Sequence, residues 1–152
     1  MGAVEDRLSE LGLTVPDVAK PVASYVPAVR SGSFVYTSGQ LPMRSGELMT
    51  TGKVGDSVSP EDAAECAQQC ALNAIAAVKA EVGDLDAVKR VVKVVCFGAS
   101  EPEFTGQPQV ANGASDLLGK AFGDSGVHAR SAVGVPVLPL DAPVEVEIIV
   151  EV

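Results

Sequence analysis

One arginine near the C-terminus has the surroundings that most clearly suggest chemistry. Arg130 begins an apolar run, residues 131–135, that has the composition of a β-strand, and a Pro-rich turn over 139–143 follows it. A second apolar segment, residues 144–152, carries Glu145, Glu147 and Glu151 among valines and isoleucines. The pattern predicts a β-hairpin with a long loop, or two neighbouring strands joined by that turn.

An arginine beside an apolar strand is seldom buried without an anionic partner. That partner is either Glu145 or another carboxylate of the protein, or it is the carboxylate of a ligand. We adopt the ligand as the working hypothesis, with Arg130 as an anion clamp. Glu145 is a candidate acid or base, although glutamates that alternate with valines usually form the solvated face of a strand. We assign Glu147 and Glu151 to that face.

The composition indicates one domain and argues against a nucleic-acid partner. The 152 residues suffice for a single domain with a hydrophobic core. With two tyrosines, four phenylalanines and no tryptophan, that core must be mainly aliphatic. The net charge of -9 gives an average field that repels a phosphate backbone, and no cluster of lysines and arginines offsets it.

Three cysteines, an odd number, favour a reduced cytoplasmic protein over a disulfide framework. We interpret them as buried small hydrophobes, and we expect no metal site because His128 is the sole histidine and lies far from them in sequence. No apolar run has the length of a membrane span, and the N-terminus lacks the pattern of a signal peptide. We therefore expect a cytoplasmic location.

The elements that position these residues follow from periodicity and from turn residues. Apolar residues recur at helical spacing after Ser59, a candidate N-cap, and stop at Gly83. The whole pattern predicts a short helix over 4–12, strands over 25–30 and 33–38, a helix over 59–83, a strand over 88–98 and a helix over 108–122. This order predicts an α+β domain in which two helices cover one face of a mixed sheet. The other face would then be apolar and uncovered, which favours oligomerisation.

Three blocks of this sequence resemble one known family. They are residues 24–26 (SYV), 36–42 (YTSGQLP), and 129–133 (ARSAV) with Leu138-Pro139 and 144–147 (VEVE). Together, and in this order, they resemble the Rid family of reactive-intermediate deaminases, also called the YjgF or L-PSP family. The resemblance covers residues 21–152 of a single domain, 1–152, with residues 1–20 as an N-terminal extension. The longer chain is similar to a bacterial side branch of the family.

The resemblance implies a fold similar to trimeric chorismate mutase, and a homotrimer with ligand clefts between subunits. It also implies hydrolysis of 2-imino acids, which form from 2-aminoacrylate and related enamines, to 2-keto acids and ammonia. A small carboxylate would be the substrate, and no metal or organic cofactor would be needed.

The resemblance also implies roles for individual residues. Arg130 would bind the substrate carboxylate, because a guanidinium matches its two oxygens, and Glu145 would hold or activate the attacking water. The substrate-binding set would be Tyr25, Ser38, Gly39, Arg130, Ser131 and Ala132, with Gly39 and Ala132 acting through their backbone groups. Ala132 departs from the cysteine that many active members have.

Three alternatives at single residues stay open. Ser38 is equally a candidate turn hydroxyl that bonds its own backbone, and Gly39 is a candidate bulge. His128 is interpreted as a loop histidine rather than a base. Two other function classes also stay open. One is a non-catalytic, carboxylate-binding regulatory protein, and the other, which the charge disfavours, is an endoribonuclease or translation inhibitor.

Overall fold

A five-stranded mixed sheet forms the centre of the molecule, in a computed structural model that describes residues 2–21 and 24–152. The helices are α1 (Ala3–Glu10), α2 (Pro60–Val82) and α3 (Gln107–Phe122). The strands are β1 (Ala28–Ser31), β2 (Phe34–Thr37), β3 (Met43–Arg44), β4 (Glu47–Leu48), β5 (Arg90–Ala99), β6 (Ala129–Val135) and β7 (Val144–Glu151). The sheet has the order β1-β2-β7-β5-β6, and β3 and β4 form a separate small hairpin. The predicted α+β class, with two helices on one face of a mixed sheet, is confirmed.

Helix α2 begins and ends where local signals predict. The Oγ atom of Ser59 accepts a hydrogen bond from the backbone N–H of Asp62 at 3.1 Å, and Pro60 occupies the first turn. The helix stops at Gly83, whose φ of 84° is a conformation that favours glycine. The alanine-rich surface of α2 lets α3 approach closely. A Cβ atom added to Gly113 of α3 would lie only 1.9 Å from the carbonyl oxygen of Ala64.

The core lies between these two helices and the sheet. Alternate residues of β7 point towards the helices and are buried, namely Val144, Val146, Ile148 and Val150. The three cysteines are buried and free, as the sequence predicted. Burial raises the pKa of Cys66 to about 11 and that of Cys96 to about 12, so these thiols are protonated and unreactive at neutral pH.

The predicted pairing of the two C-terminal strands is wrong. Strand β5 lies between β6 and β7, parallel to β6 and antiparallel to β7. The reason is that β7 buries every second side chain, so it takes an interior position with a partner on each side, whereas β6 is half-exposed and forms the edge. The connection over 136–143 includes a turn of 3-10 helix, Pro139–Asp141.

Two smaller predictions also need correction. Strand β1 starts at Ala28, so Tyr25 lies before it, and the turn that follows β1 consists of Gly32 and Ser33. The helical pattern over 4–12 predicts a buried Leu11, but this residue lies beyond the end of α1 and is 42% exposed.

The second face of the sheet has no helix over it among the described residues. Strand register places Tyr36 beside Ile149, and Glu145 and Val133 on either side of Phe97. Their neighbours in the ladders, such as Val35, Val94 and Val146, point to the helices and are buried. Large apolar side chains therefore remain at least partly exposed on this open face, among them Val29, Phe34, Tyr36 and Val133. No helix in the described part of the chain is both long and apolar enough to cross a membrane.

Candidate functional site

Glu145 lies directly against the backbone of Gly39. A Cβ atom added to Gly39 would stand 2.4 Å from Oε1 of Glu145, so any larger residue at position 39 would displace the carboxylate. The close approach follows from an interruption in the pairing of β2 with β7. There the side-chain Oγ1 of Thr37 accepts a hydrogen bond from the backbone N–H of Ile148 at 3.0 Å, and regular backbone pairing resumes between Gln40 and Val146.

This position changes the acid-base behaviour of Glu145. The pKa of its carboxyl is raised, mainly because burial disfavours the charged form and secondly because Glu147 carries a like charge nearby. A half-buried carboxyl with a raised pKa exchanges protons more readily near neutral pH than an ordinary glutamate does. Glu145 therefore has an environment suited to a general acid or base. A glutamate on the solvated face of a strand would lack this environment.

Arg130 is held by α3 and by no carboxylate of the described residues. Its Nη1 donates to Oδ1 of Asn112 at 2.7 Å and to Oγ of Ser115 at 3.2 Å, and its Nη2 donates to the carbonyl oxygen of Pro108 at 3.3 Å. The two ion pairs found among residues 2–21 and 24–152 join Lys53 to Asp141 and Lys79 to Glu5. The guanidinium is thus oriented by neutral acceptors, and its positive charge is not neutralised by a described acidic side chain.

Two neighbouring residues extend this network. Oγ of Ser115 lies 2.8 Å from Nε2 of His128, and Nδ1 of His128 lies 2.6 Å from the carbonyl oxygen of Gly126. With the imidazole neutral, Nδ1–H donates to Gly126 and the Ser115 hydroxyl donates to Nε2, which leaves the serine oxygen to accept from Arg130. His128 therefore belongs to the support of Arg130 through Ser115.

Arg130 and Glu145 lie on opposite faces of the sheet within one chain. Arg130 is in register with Val94, whose side chain is buried under the helices. Glu145 is in register with Phe97, on the open face. A single chain therefore does not bring the two predicted catalytic side chains together.

The other predicted site residues lie on both faces of the sheet and near the end of β2. Ser131 lies on the open face, where its Oγ accepts from Nζ of Lys93 at 3.2 Å, and Ala132 lies half-buried on the helix side in register with Cys96. The Ser38 hydroxyl donates to the carbonyl oxygen of Val26 at 2.6 Å, which ties the chain before β1 to the end of β2. Tyr25 is 44% exposed and lines a cavity together with Gly39.

That cavity has a volume of about 770 Å³ and separates the N-terminal segment from the body of the domain. Residues 12–14 and 16–21 form one wall. The loop after β2, the β3–β4 hairpin and the side of α2 form the opposite wall. No group of three or more His, Cys, Asp or Glu side chains converges as metal ligands would in the part of the chain that the structure describes.

A family model described as "YjgF/chorismate_mutase-like, putative endoribonuclease" matches residues 5–152. The chain belongs to the YjgF family. The match begins at residue 5 and therefore includes most of the N-terminal segment of this YjgF-family chain.

Individual relatives agree with this membership. Protein TCP17 of Trypanosoma cruzi is 46% identical over 151 residues, which are 99% of this chain and 94% of that protein. A 2-iminobutanoate/2-iminopropanoate deaminase of Dermatophagoides farinae is 36% identical over 140 residues, 91% of this chain and 93% of that one. The crystal structure of Atu1372 from Agrobacterium tumefaciens, a protein of unknown function, superposes with a TM-score of 0.92 at 47% identity and covers 99% of this chain and 92% of its own.

Sequence reasoning missed the residues that hold the site residues in place. Asn112 was not predicted to contact Arg130, because a contact between a helix and an edge strand leaves no local pattern. Gln69 and Asn73, four residues apart in α2, were also missed, and they hold Arg44 and the backbone of residues 41–43 at the wall of the cavity. Their signal was available, since two amides beside an otherwise apolar helical stripe must find hydrogen-bonding partners when buried.

Proposed function

We propose that this chain is a deaminase that hydrolyses 2-imino acids, and the enamines in equilibrium with them, to 2-keto acids and ammonia. The observation that carries the proposal is the half-buried Glu145 carboxyl, held against Gly39 with a raised pKa. The similarity to a mite protein named as a deaminase of 2-iminobutanoate and 2-iminopropanoate supports the same reaction class.

In the proposed reaction, Glu145 takes a proton from water as the water oxygen attacks the imine carbon, and it delivers that proton to the imine nitrogen. The resulting tetrahedral intermediate carries a hydroxyl and an amino group on the same carbon. Glu145 then takes the hydroxyl proton and transfers it to the amino nitrogen, the carbon–nitrogen bond breaks, and the carbonyl of the keto acid forms as ammonia leaves. An imine carbon is already electrophilic, so positioning of water and proton transfer are the main requirements.

Arg130 supplies the substrate's anchor in this proposal. A guanidinium oriented by Asn112, Ser115 and Pro108, and unpaired with any described carboxylate, suits a small carboxylate ligand. Because Arg130 and Glu145 of one chain face opposite sides of the sheet, the proposal requires a second copy of the chain to complete each site. We propose a homotrimer as that assembly, located in the cytoplasm, where a reducing environment keeps the three thiols free.

The proposal is tested by following keto-acid release from freshly generated 2-iminopropanoate. We expect Arg130→Gln to lower the rate by about 100-fold or more, because a misplaced substrate carboxylate misaligns the imine carbon. Arg90→Gln is the matched control, since Arg90 is also a strand arginine that donates to a backbone carbonyl, that of Val127 at 3.0 Å. Wild-type protein that gives no rate above the spontaneous hydrolysis would refute the deaminase assignment.

Endoribonuclease activity is named in the description of the family model. The charge of -9 speaks against it here, because RNA binding needs a positive surface. RNA cleavage that persists in the Glu145→Gln and Arg130→Gln variants would not come from the site proposed here.

A further inference from the structure

The 770 Å³ cavity behind the N-terminal segment contains a preorganised cation. Nε of Arg44 donates to Oε1 of Gln69 at 3.3 Å, and Nε2 of Gln69 donates to Oδ1 of Asn73 at 3.1 Å. Nδ2 of Asn73 in turn donates to the carbonyl oxygens of Leu41 and Met43, both at 3.0 Å. A chain of hydrogen bonds therefore runs from the inside of the domain to the guanidinium at the cavity wall.

The two amides in this chain are almost fully buried, and burial makes their arrangement specific. Gln69 is 7% exposed and Asn73 is 3% exposed. An amide in that position destabilises the fold unless its polar atoms are paired. Here the pairing is achieved by fixing the backbone at residues 41–43 and the Nε edge of Arg44. Helix α2, which carries both amides, thereby determines the direction in which the Arg44 guanidinium points.

The remaining donors of Arg44 are available to a ligand. Within residues 2–21 and 24–152, Nη1 and Nη2 of Arg44 donate to no protein group. Lys20 also lines the cavity, and Asp17 is the acidic residue on its wall, so the lining carries one net positive charge in a chain whose total is -9. Much of the rest of the wall is apolar, including Leu13, Leu41 and Leu72.

We propose that this cavity is a binding site for a small monocarboxylic acid with an apolar body. The carboxylate pairs with Arg44, assisted by Lys20, and the hydrocarbon part lies against the leucines of the two walls. The volume is within the range of small-molecule sites. The cation of this site is Arg44 rather than Arg130, although Tyr25 and Gly39 of the predicted substrate-binding set also line the cavity and Gly39 lies against Glu145. The inference does not depend on the deaminase proposal.

The first test measures hexanoate binding to the intact protein by isothermal titration calorimetry. We expect Arg44→Gln to weaken binding at least about tenfold, since a charged hydrogen-bonding partner is lost. Two matched controls remove an equal charge elsewhere. They are Arg30→Gln, whose guanidinium donates to the carbonyl of Gly32, and Arg90→Gln, whose guanidinium donates to the carbonyl of Val127. Both controls are expected to bind hexanoate as the wild type does.

Two outcomes of this test would contradict the inference. If Arg130→Gln abolishes binding and Arg44→Gln does not, hexanoate occupies the Arg130 site and the cavity is not a carboxylate site. No binding by wild-type protein at millimolar hexanoate also overturns the inference. Circular dichroism of each variant verifies folding, which we expect to be retained because Arg44 is exposed.

A second test examines the apolar part of the site with acetate, butanoate and hexanoate. The affinity should rise about fourfold for each methylene that the cavity removes from water. Inorganic phosphate should bind more weakly than hexanoate. A flat series, or phosphate binding as tight as hexanoate, would indicate attraction of any anion and would overturn the assignment of an apolar carboxylic acid.

Discussion

At the scale of single residues, the titration of Glu145 affects stability as well as the reaction that we propose. Its folded-state pKa lies above the ordinary value of 4.5, because burial and Glu147 disfavour the carboxylate. The folded state therefore binds the proton more tightly than the unfolded state does. It follows that the free energy of unfolding falls as pH rises from 4.5 through the folded-state pKa, and that the full contribution is present below 4.5.

Glu145→Gln should accordingly stabilise the protein at neutral pH while it abolishes imine hydrolysis. The substitution removes a charge that is unfavourable in the folded state, and the gain should disappear below pH 4.5, where the wild-type carboxyl is protonated. Urea unfolding of both proteins at pH 7 and at about pH 4 measures the difference. Glu101→Gln, which alters a glutamate with no described ion pair away from the site, serves as control. A variant that is less stable than wild type at pH 7 would mean that a cation pairs with Glu145 in the assembled protein.

The sequence indicates which residues are candidates for the site but not how they are arranged. Arg130 is a candidate because an arginine beside an apolar strand seldom lies buried without an anionic partner, and Glu145 is a candidate because it stands in the closing block of the family resemblance. That the two face opposite sides of the sheet depends on the register of β6 and β7 against β5, which is a non-local property. The sequence around either residue does not indicate this register.

At the scale of elements, the contact between α2 and α3 depends on one missing side chain. Gly113→Ala would place a Cβ atom 1.9 Å from the Ala64 carbonyl, and neither backbone moves without separating the helices. We expect a loss of about 1–3 kcal/mol in the free energy of unfolding. Chemical denaturation measures it.

Gly119→Ala in the same helix is the matched control for this prediction. A Cβ atom there meets nothing within 4 Å, so the same chemical change should stabilise the protein by about 0.5–1 kcal/mol through helix propensity. Opposite signs at the two positions are expected. Equal effects would show that propensity, and not the close approach to α2, governs Gly113.

Elements defined by local signals were predicted well, and the order of strands was not. Helix α2 carries its own cap, apolar stripe and terminating glycine, and each of these acts within a few residues. The position of β6 depends instead on β5 taking partners on both edges. The turn residues near Pro139 suggested a hairpin because they indicate only that the chain changes direction, and the next strand can then pair with any suitable edge.

At the scale of the whole molecule, the open face of the sheet and the divided site lead to the same expectation. Exposed aromatic and aliphatic side chains on one face, including Phe34, Tyr36 and Val133, are characteristic of a surface covered by another chain. A site that needs Arg130 from one copy and Glu145 from another requires such an assembly. Both considerations favour a closed homo-oligomer, for which we propose three copies.

Subunit mixing tests this shared site directly. Arg130→Gln and Glu145→Gln subunits should each be inactive as homotrimers, whereas their co-expressed mixture should regain about one quarter of the wild-type activity per site. The reason is that random assembly gives that fraction of clefts an intact arginine from one neighbour and an intact glutamate from the other. Co-expression of Arg130→Gln with the double variant, which lacks both groups, should give no recovery. Mixed trimers are isolated by two different affinity tags, one on each variant. If the mixed trimers of the first pair are also inactive, the two residues do not meet across a subunit boundary. The proposed division of roles between neighbouring copies then fails.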